Sequence, residues 1–306
     1  MRVGVSLTSR HAVEDVRAGA RMMIERAAAA RDAGLDSLFV GDHHLTPVPY
    51  YQNVPMLGRL LAEWGDAPAG ALFLIPMWNP VLIAEQVGTL ASIATGPFIV
   101  QCAIGRGPEE FAGIGANIKH RPSLFEEGLS IVRRLLAGET VSSDGRYHIE
   151  GASISPLPPE PVDIWIGGSV EPSIDRASRL GEAWLAGPEL TMEQARHLAR
   201  FHRERSEAHG RPPAAYPIRR DVYVGESDEE AEPTAGPVAG RYRGFDPDAL
   251  IYGSIDTVAG RFRELAELGY TDVIMRSIVQ AQPKTLASLT RLGEVRAAVA
   301  DAWPTD

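Results

Sequence analysis

Cysteine is nearly missing: Cys102 stands alone among 306 residues, which rules out an internal disulfide and any zinc site built on several thiolates. Aromatic residues are few, at 7%, and no apolar run is long enough to span a bilayer. Basic residues are in deficit, 30 Lys and Arg against 40 Asp and Glu, for a net charge of -10. No Lys/Arg cluster is dense enough to track a phosphate backbone, so nucleic-acid binding is not expected. The first strand is not followed by Gly-x-Gly-x-x-Gly, which weakens a doubly wound dinucleotide fold, and it carries no His-x-His of the zinc-barrel kind. The opening stretch 1–7 has neither the longer apolar segment nor the small-residue cleavage site of a signal peptide, so a cytoplasmic protein is the expectation.

What is present is the composition of an ordered globule, 44% hydrophobic and 23% charged. Eight short apolar stretches have the length and β-branching of buried strands: 3–7, 37–41, 70–75, 98–104, 163–166, 183–185, 218–224 and 271–275. Helical periodicity separates most of them, at 21–33, 80–94, 122–137, 172–180, 192–208 and 255–268, with a last helix over 284–302. Strands alternating with helices predict a closed (β/α)8 TIM barrel in one domain over 1–306. Two excursions interrupt it. At 138–161 a hairpin turns at Asp144-Gly145 before a Pro-rich return, and at 225–254 a helix leads into a loop-rich segment. Both are expected to cover the barrel mouth, with Tyr50, Tyr51 and Trp64 as aromatic residues at the entrance.

In such a barrel, chemistry sits at the carboxyl ends of the strands. The second strand ends in Asp42-His43-His44, an acid and two imidazoles suited to proton exchange near neutral pH. A helix-capping Asp beside two surface histidines is the plainer alternative. The third strand ends in Pro76-Met77-Trp78-Asn79-Pro80, either a flat apolar wall with an amide at the mouth or simply a Pro-capped helix start. The fourth carries Gln101 and ends in Gly105-Arg106-Gly107, where Arg106 supplies one cation suited to phosphate. Gly167-Gly168-Ser169, with Ser173 one turn on, places free N–H groups, a helix dipole and hydroxyls where an anion could bind.

Taken in order, stretches 37–44, 76–80, 105–115 and 164–185, with the closing 253–274, resemble the bacterial luciferase-like flavin monooxygenase superfamily over nearly the whole chain. The resemblance implies a TIM barrel, usually a homodimer, that uses reduced FMN and O2 to oxidise a small organic substrate. The flavin would come from a separate reductase. It places Asp42, His43 and His44 beside the flavin ring, with His44 carrying the proton, and Met77, Trp78, Asn79 and Gln101 as further cofactor contacts. The phosphate end then falls on Arg106, Gly167, Gly168, Ser169 and Ser173, and no metal is implied. The third-strand end often holds a non-proline cis peptide in that family, and 75–78 is the matching stretch here. Trp78-Asn79 stands where a more basic pair is frequent. The resemblance leaves two alternatives: hydride transfer with the deazaflavin F420 and no oxygen chemistry, or a flavin-binding barrel without catalysis.

Overall fold

The computed structural model describes residues 1–239 and 241–303. In chain order the elements are β1 (Arg2–Leu7), α1 (Val16–Asp32), β2 (Leu38–Val40), α2 (Asn53–Leu60), β3 (Ala69–Leu74), α3 (Pro80–Ile93), β4 (Phe98–Ala103), α4 (Pro108–Ile114) and α5 (Arg121–Leu136). There follow β5 (Val141–Ser143), β6 (Ile149–Ala152), β7 (Asp163–Gly168), α6 (Glu171–Leu180), β8 (Ala183–Ala186), α7 (Met192–Ala208) and β9 (Pro217–Val224). The chain closes with α8 (Asp228–Ala239), β10 (Leu250–Gly253), α9 (Ile255–Glu267), β11 (Asp272–Ser277) and α10 (Gln282–Ala298).

Strands β1, β2, β3, β4, β7, β8, β9 and β11 pair in parallel around a closed circuit, the (β/α)8 barrel expected from the alternation. The pleat sends successive side chains to opposite faces. Val3, Val5, Leu38, Val40, Val100, Cys102, Ile164 and Ile166 therefore join the helices in the large outer core. Phe39, Ile99, Trp165, Leu185 and Ile274 form a second cluster inside the barrel. Phe39 and Trp165 belong to strands that are not neighbours, yet their ring centroids lie 5.6 Å apart, so the two side chains meet across the interior. That layer plugs the barrel and leaves its carboxyl end as the open mouth.

Closure is thin at one place. A single residue pair, Ala186 with Ile218, joins β8 to β9. Beyond it, toward the mouth, β10 lies parallel along Asp221–Val224 of β9. This ninth strand falls inside the segment expected to be loop. Its four residues are too short for a periodicity signal, whereas the helix expected before it is present as the twelve-residue α8, with Pro233 and Pro237 inside it. A short helix without a sequence signal, α4, carries Glu109 and Glu110 in its first turn.

Three further expectations are corrected. The β5–β6 hairpin exists, but Val141, Tyr147 and Ile149 pack on Ala84 of α3 and on Ile131 and Leu135 of α5, so it lines the outer flank and not the mouth. Trp64 is buried and donates to the Ala67 carbonyl at 2.9 Å, beside a cavity at the amino-terminal end, whereas Tyr51 stays past the carboxyl end of β1, its N–H on the Ser9 carbonyl at 3.0 Å and its hydroxyl on the Val16 carbonyl at the start of α1. Stretch 75–78 is a single 3-10 turn closed by Trp78 N–H on the Ile75 carbonyl at 3.0 Å; among the described residues the one cis bond is Ser155–Pro156.

Candidate functional site

Strand β2 stops at Val40 and delivers Asp42 into the wall of the mouth, where 1% of the residue is exposed. Its Oδ2 accepts two hydrogen bonds, from Leu74 N–H at 2.8 Å and from the Trp78 indole N–H at 2.9 Å. The carboxylate therefore ties the end of β2 to the end of β3. It caps no helix. Its other oxygen faces His44 Nε2 at 3.3 Å, within charge–charge range, but the angle is poor and neither atom completes a hydrogen bond. The Asp42 carboxylate raises the pKa of His44, burial opposes it, and Glu110 adds to the rise. The Trp78 ring lies 5.6 Å from the imidazole of His44 and 5.5 Å from Phe73, so the pair sits against an aromatic wall.

His43 departs from its neighbour. Its ring is exposed, and Nδ1 meets Glu110 Oε1 at 3.0 Å, while the same carboxylate accepts the His44 N–H at 3.3 Å. Glu110 on α4 thus pins the histidine pair from outside. Tyr50 meets His43 edge-on at 5.7 Å, and burial pushes its hydroxyl up to about 12, so it stays protonated.

The remaining sequence-derived residues divide. Gln101 faces inward from β4, as the outward pair Val100 and Cys102 requires, and its Nε2 is buried without a partner. Met77 is buried against Leu74 and Phe111 beneath Gly105, a packing position. Asn79 is the N-cap of α3, its side chain accepting from Val81 N–H at 2.9 Å, so the plainer alternative holds there. Arg106 is exposed and makes no hydrogen bond or ion pair among the described residues. Gly167, Gly168, Ser169 and Ser173 do meet at one turn. A Cβ on Gly168 would lie 2.2 Å from Ser173 Oγ, whereas one on Gly167 would touch nothing closer than 3.6 Å. Both hydroxyls are engaged: Ser173 donates to the Val170 carbonyl at 2.7 Å, and Ser169 binds Glu189. An anion at this turn would have to draw Ser169 away from that carboxylate.

Sequence reasoning missed the charged residues inside the strands. Val222 and Val224 face outward, so Arg219 and Asp221 point into the barrel, and Arg276 does the same on β11 between outward-facing Met275 and Ser277. The signal was visible, since strands buried on both faces run almost continuously apolar and Arg219-Arg220-Asp221 interrupts one. His11, past the end of β1, was also passed over. Burial and the nearby Arg26 lower it to about 4, and the neutral ring sits 2.9 Å from the Thr8 carbonyl, a structural contact.

A second concavity of about 260 Å3 opens at the amino-terminal end. Most of its charged groups are paired: Arg2 with Asp272 at 2.7 Å, and Asp36 with Arg296 and the Val3 N–H. Asp163 also lines it, with no ion pair among the described residues, and burial raises its carboxyl above the usual range. Among the described residues no group of three or more His, Cys, Asp or Glu converges as metal ligands would, and no helix is long and apolar enough to cross a membrane.

A (β/α)8 barrel whose acid–imidazole pair, unsatisfied amide and inward cations gather at the carboxyl ends of the strands belongs to the barrels that work as enzymes at that face. The chain belongs to the luciferase-like monooxygenase family, whose model matches residues 1–270, and this places it among oxidoreductases. Its fold is similar to that of 3,6-diketocamphane monooxygenase from Pseudomonas putida, solved with FMN, at 18% identity and a TM-score of 0.85, with 100% of each chain covered. Monooxygenase RslO1 from Streptomyces bottropensis is similar at 18% identity and 0.85, covering 96% of this chain and 98% of that one. An F420-dependent secondary alcohol dehydrogenase, solved with an F420-acetone adduct, is similar at 16% and 0.80, covering 97% and 98%.

Proposed function

We propose that the chain is a flavin-dependent monooxygenase that uses reduced FMN and O2 to oxidise a small organic substrate at this mouth. It would act as one luciferase-like domain, as a homodimer, and take its flavin from a separate reductase. The observation that carries the reading is the Asp42–His44 pair, a buried carboxylate and an imidazole whose facing atoms both lack a hydrogen-bond partner. Buried polar groups are normally satisfied, and unsatisfied ones clustered at a mouth suit a polar ligand. Gln101 Nε2 is a third such atom, and a Cβ on Gly167 would meet only Cys102 and Ala103, at 3.6 and 3.7 Å. Together they suit a flat heterocycle with carbonyl and N–H groups on its edge.

When bound, reduced FMN supplies the electrons and the carbon at which oxygen is activated. The protein does the rest. Asp42, fixed by Leu74 and Trp78, holds its charge against the His44 imidazole and favours the charged form. His44 then holds a proton to higher pH than a free imidazole and can give it to, or take it from, an oxygen at the mouth. Trp78 and Phe73 keep water from that side. Arg106 and the Gly167–Ser169 turn would meet the phosphate. An FMN-bound monooxygenase shares this fold and so does an F420-dependent dehydrogenase, so the choice of FMN rests on the binding measurement.

The test is equilibrium binding without oxygen, the purified chain being titrated in parallel with reduced FMN and reduced F420. Binding of FMN in preference to F420 supports the reading. Tight F420 binding with no affinity for FMN overturns it in favour of hydride transfer.

A further inference from the structure

Above the hydrophobic layer that plugs the barrel, its β9–β11 wall is cationic. Arg219 lies beside Ile274 of that layer in the strand register, and Arg276 lies beside Asp221. The Nε and Nη2 of Arg219 are both buried and without a hydrogen-bond partner among the described residues. Those two N–H groups form one straight edge of the guanidinium, the edge that grips a carboxylate with two parallel bonds. Arg276 spends only Nε, on Thr8 Oγ1 at 3.3 Å. Arg243 reaches in from the segment after α8, 3.4 Å from Asp221 Oδ2 and stacked 4.7 Å over Phe245. Arg220 points to the other face, toward the Gly187 carbonyl. Three guanidinium groups against the one carboxylate of Asp221 leave two positive charges in a chain whose net charge is -10. The wall is therefore no by-product of a basic surface.

A buried guanidinium with an empty edge is expensive to keep, because its desolvation is not repaid. Burial lowers Arg219 to about 10, which still leaves it charged at neutral pH. Tyr50 lies within electrostatic reach of both Asp42 and Arg276, so the cationic wall and the acid–imidazole pair share one mouth. We propose that Arg219, flanked by Arg276 and Arg243, is an oxyanion subsite for the organic substrate, and that this substrate carries a carboxylate. The assignment rests on the proposed function in one respect: it takes this mouth as the place where substrate is oxidised.

The probe is benzoate, with benzamide as its neutral twin, titrated by calorimetry into the flavin-free chain at constant ionic strength. Benzoate should bind and benzamide should not. A hydrogen bond to a charged group contributes roughly 1.5–3 kcal/mol, so Arg219→Gln should weaken benzoate at least about tenfold. Arg219→Lys, which keeps the charge and loses the straight edge, should fall between. Because the edge is empty, Arg219→Gln should also melt no lower than the parent without ligand; if it does not fold, Arg276→Gln takes its place with the same expected loss. Equal binding of benzoate and benzamide, or unchanged benzoate affinity in the variants, overturns the subsite. So does a loss of reduced FMN binding in Arg219→Gln as large as the loss of benzoate, since Arg219 would then serve the cofactor. Arg219-dependent benzoate binding in a chain that binds no flavin keeps the subsite and sinks the monooxygenase reading.

Discussion

Replacing Asp42 by Asn keeps the shape of the side chain and removes its charge. The amide oxygen can still accept from Leu74 N–H and the Trp78 indole, so what is lost is the charge-assisted part of those two bonds. Hydrogen bonds to ions contribute roughly 1.5–3 kcal/mol and neutral ones about 0.5–1.5. The difference is about 1 kcal/mol per bond, or about 2 in total, which lowers Tm by roughly 3 °C in a chain of 306 residues. The stronger consequence falls on His44. Its pKa is raised because Asp42 faces it; without that charge, burial, which lowers it, is opposed only by Glu110. A histidine raised in the folded state stabilises fully below its unfolded pKa of about 6.5, and the contribution fades as pH rises through the folded value. His11 and His202, both lowered to about 4, act the other way and are the same in both chains, so on acidification from pH 8 to 6 Asp42→Asn should lose stability relative to the parent. Long-range 1H–15N spectra resolve the imidazoles of the eight histidines, with His44→Gln to assign the resonance. His44 should titrate above 6.5 in the parent and lower in the variant. The same midpoint in both, with an unchanged Tm, would refute the coupling.

Three other outcomes follow from the geometry. Cys102 is fully buried and its thiol pKa is pushed up by burial, so a disulfide reagent at pH 8 should leave the native chain unmodified and react on unfolding. Gly167→Ala should melt within about 1 °C of the parent, since the new Cβ meets nothing closer than 3.6 Å, yet bind the reduced cofactor less tightly; unchanged affinity would take Gly167 out of the site. Arg106→Ala should weaken FMN by roughly tenfold while leaving riboflavin alone, as expected for one charged contact to phosphate, and equal loss of both would contradict that role.

The barrel was legible because its strands are buried on both faces, so each appears as a short apolar run between turn residues, and seven of the helices carry a regular apolar stripe. What stayed hidden lacks that signature. Strand β10 has only four residues and is held by pairing with β9. Trp64 looked like an entrance residue because it follows the second strand, but α2 carries it to the far end of the barrel. At the site, Asp42 and His44 could be picked out because a polar cluster at a strand end is conspicuous. The use of each hydroxyl and amide could not. Nothing in the sequence distinguishes Asn79 as a cap from Asn79 as a contact, or shows that Ser169 is bound by Glu189, twenty residues away. Arg219 and Arg276 were missed for another reason: inside a strand, a charged residue was passed over as part of the strand when it should have prompted the question of what it faces.

The central claim is that this mouth brings reduced FMN and oxygen together under the control of His44. Oxygen uptake measures it most directly, recorded after the anaerobic chain, loaded with either reduced FMN or reduced F420, is mixed with aerated buffer, in the parent and in His44→Gln. The account predicts protein-bound FMN oxidation whose rate and pH profile change in His44→Gln, and no uptake with F420. Uptake no different from that of free reduced FMN, with the parent and His44→Gln alike, would contradict it.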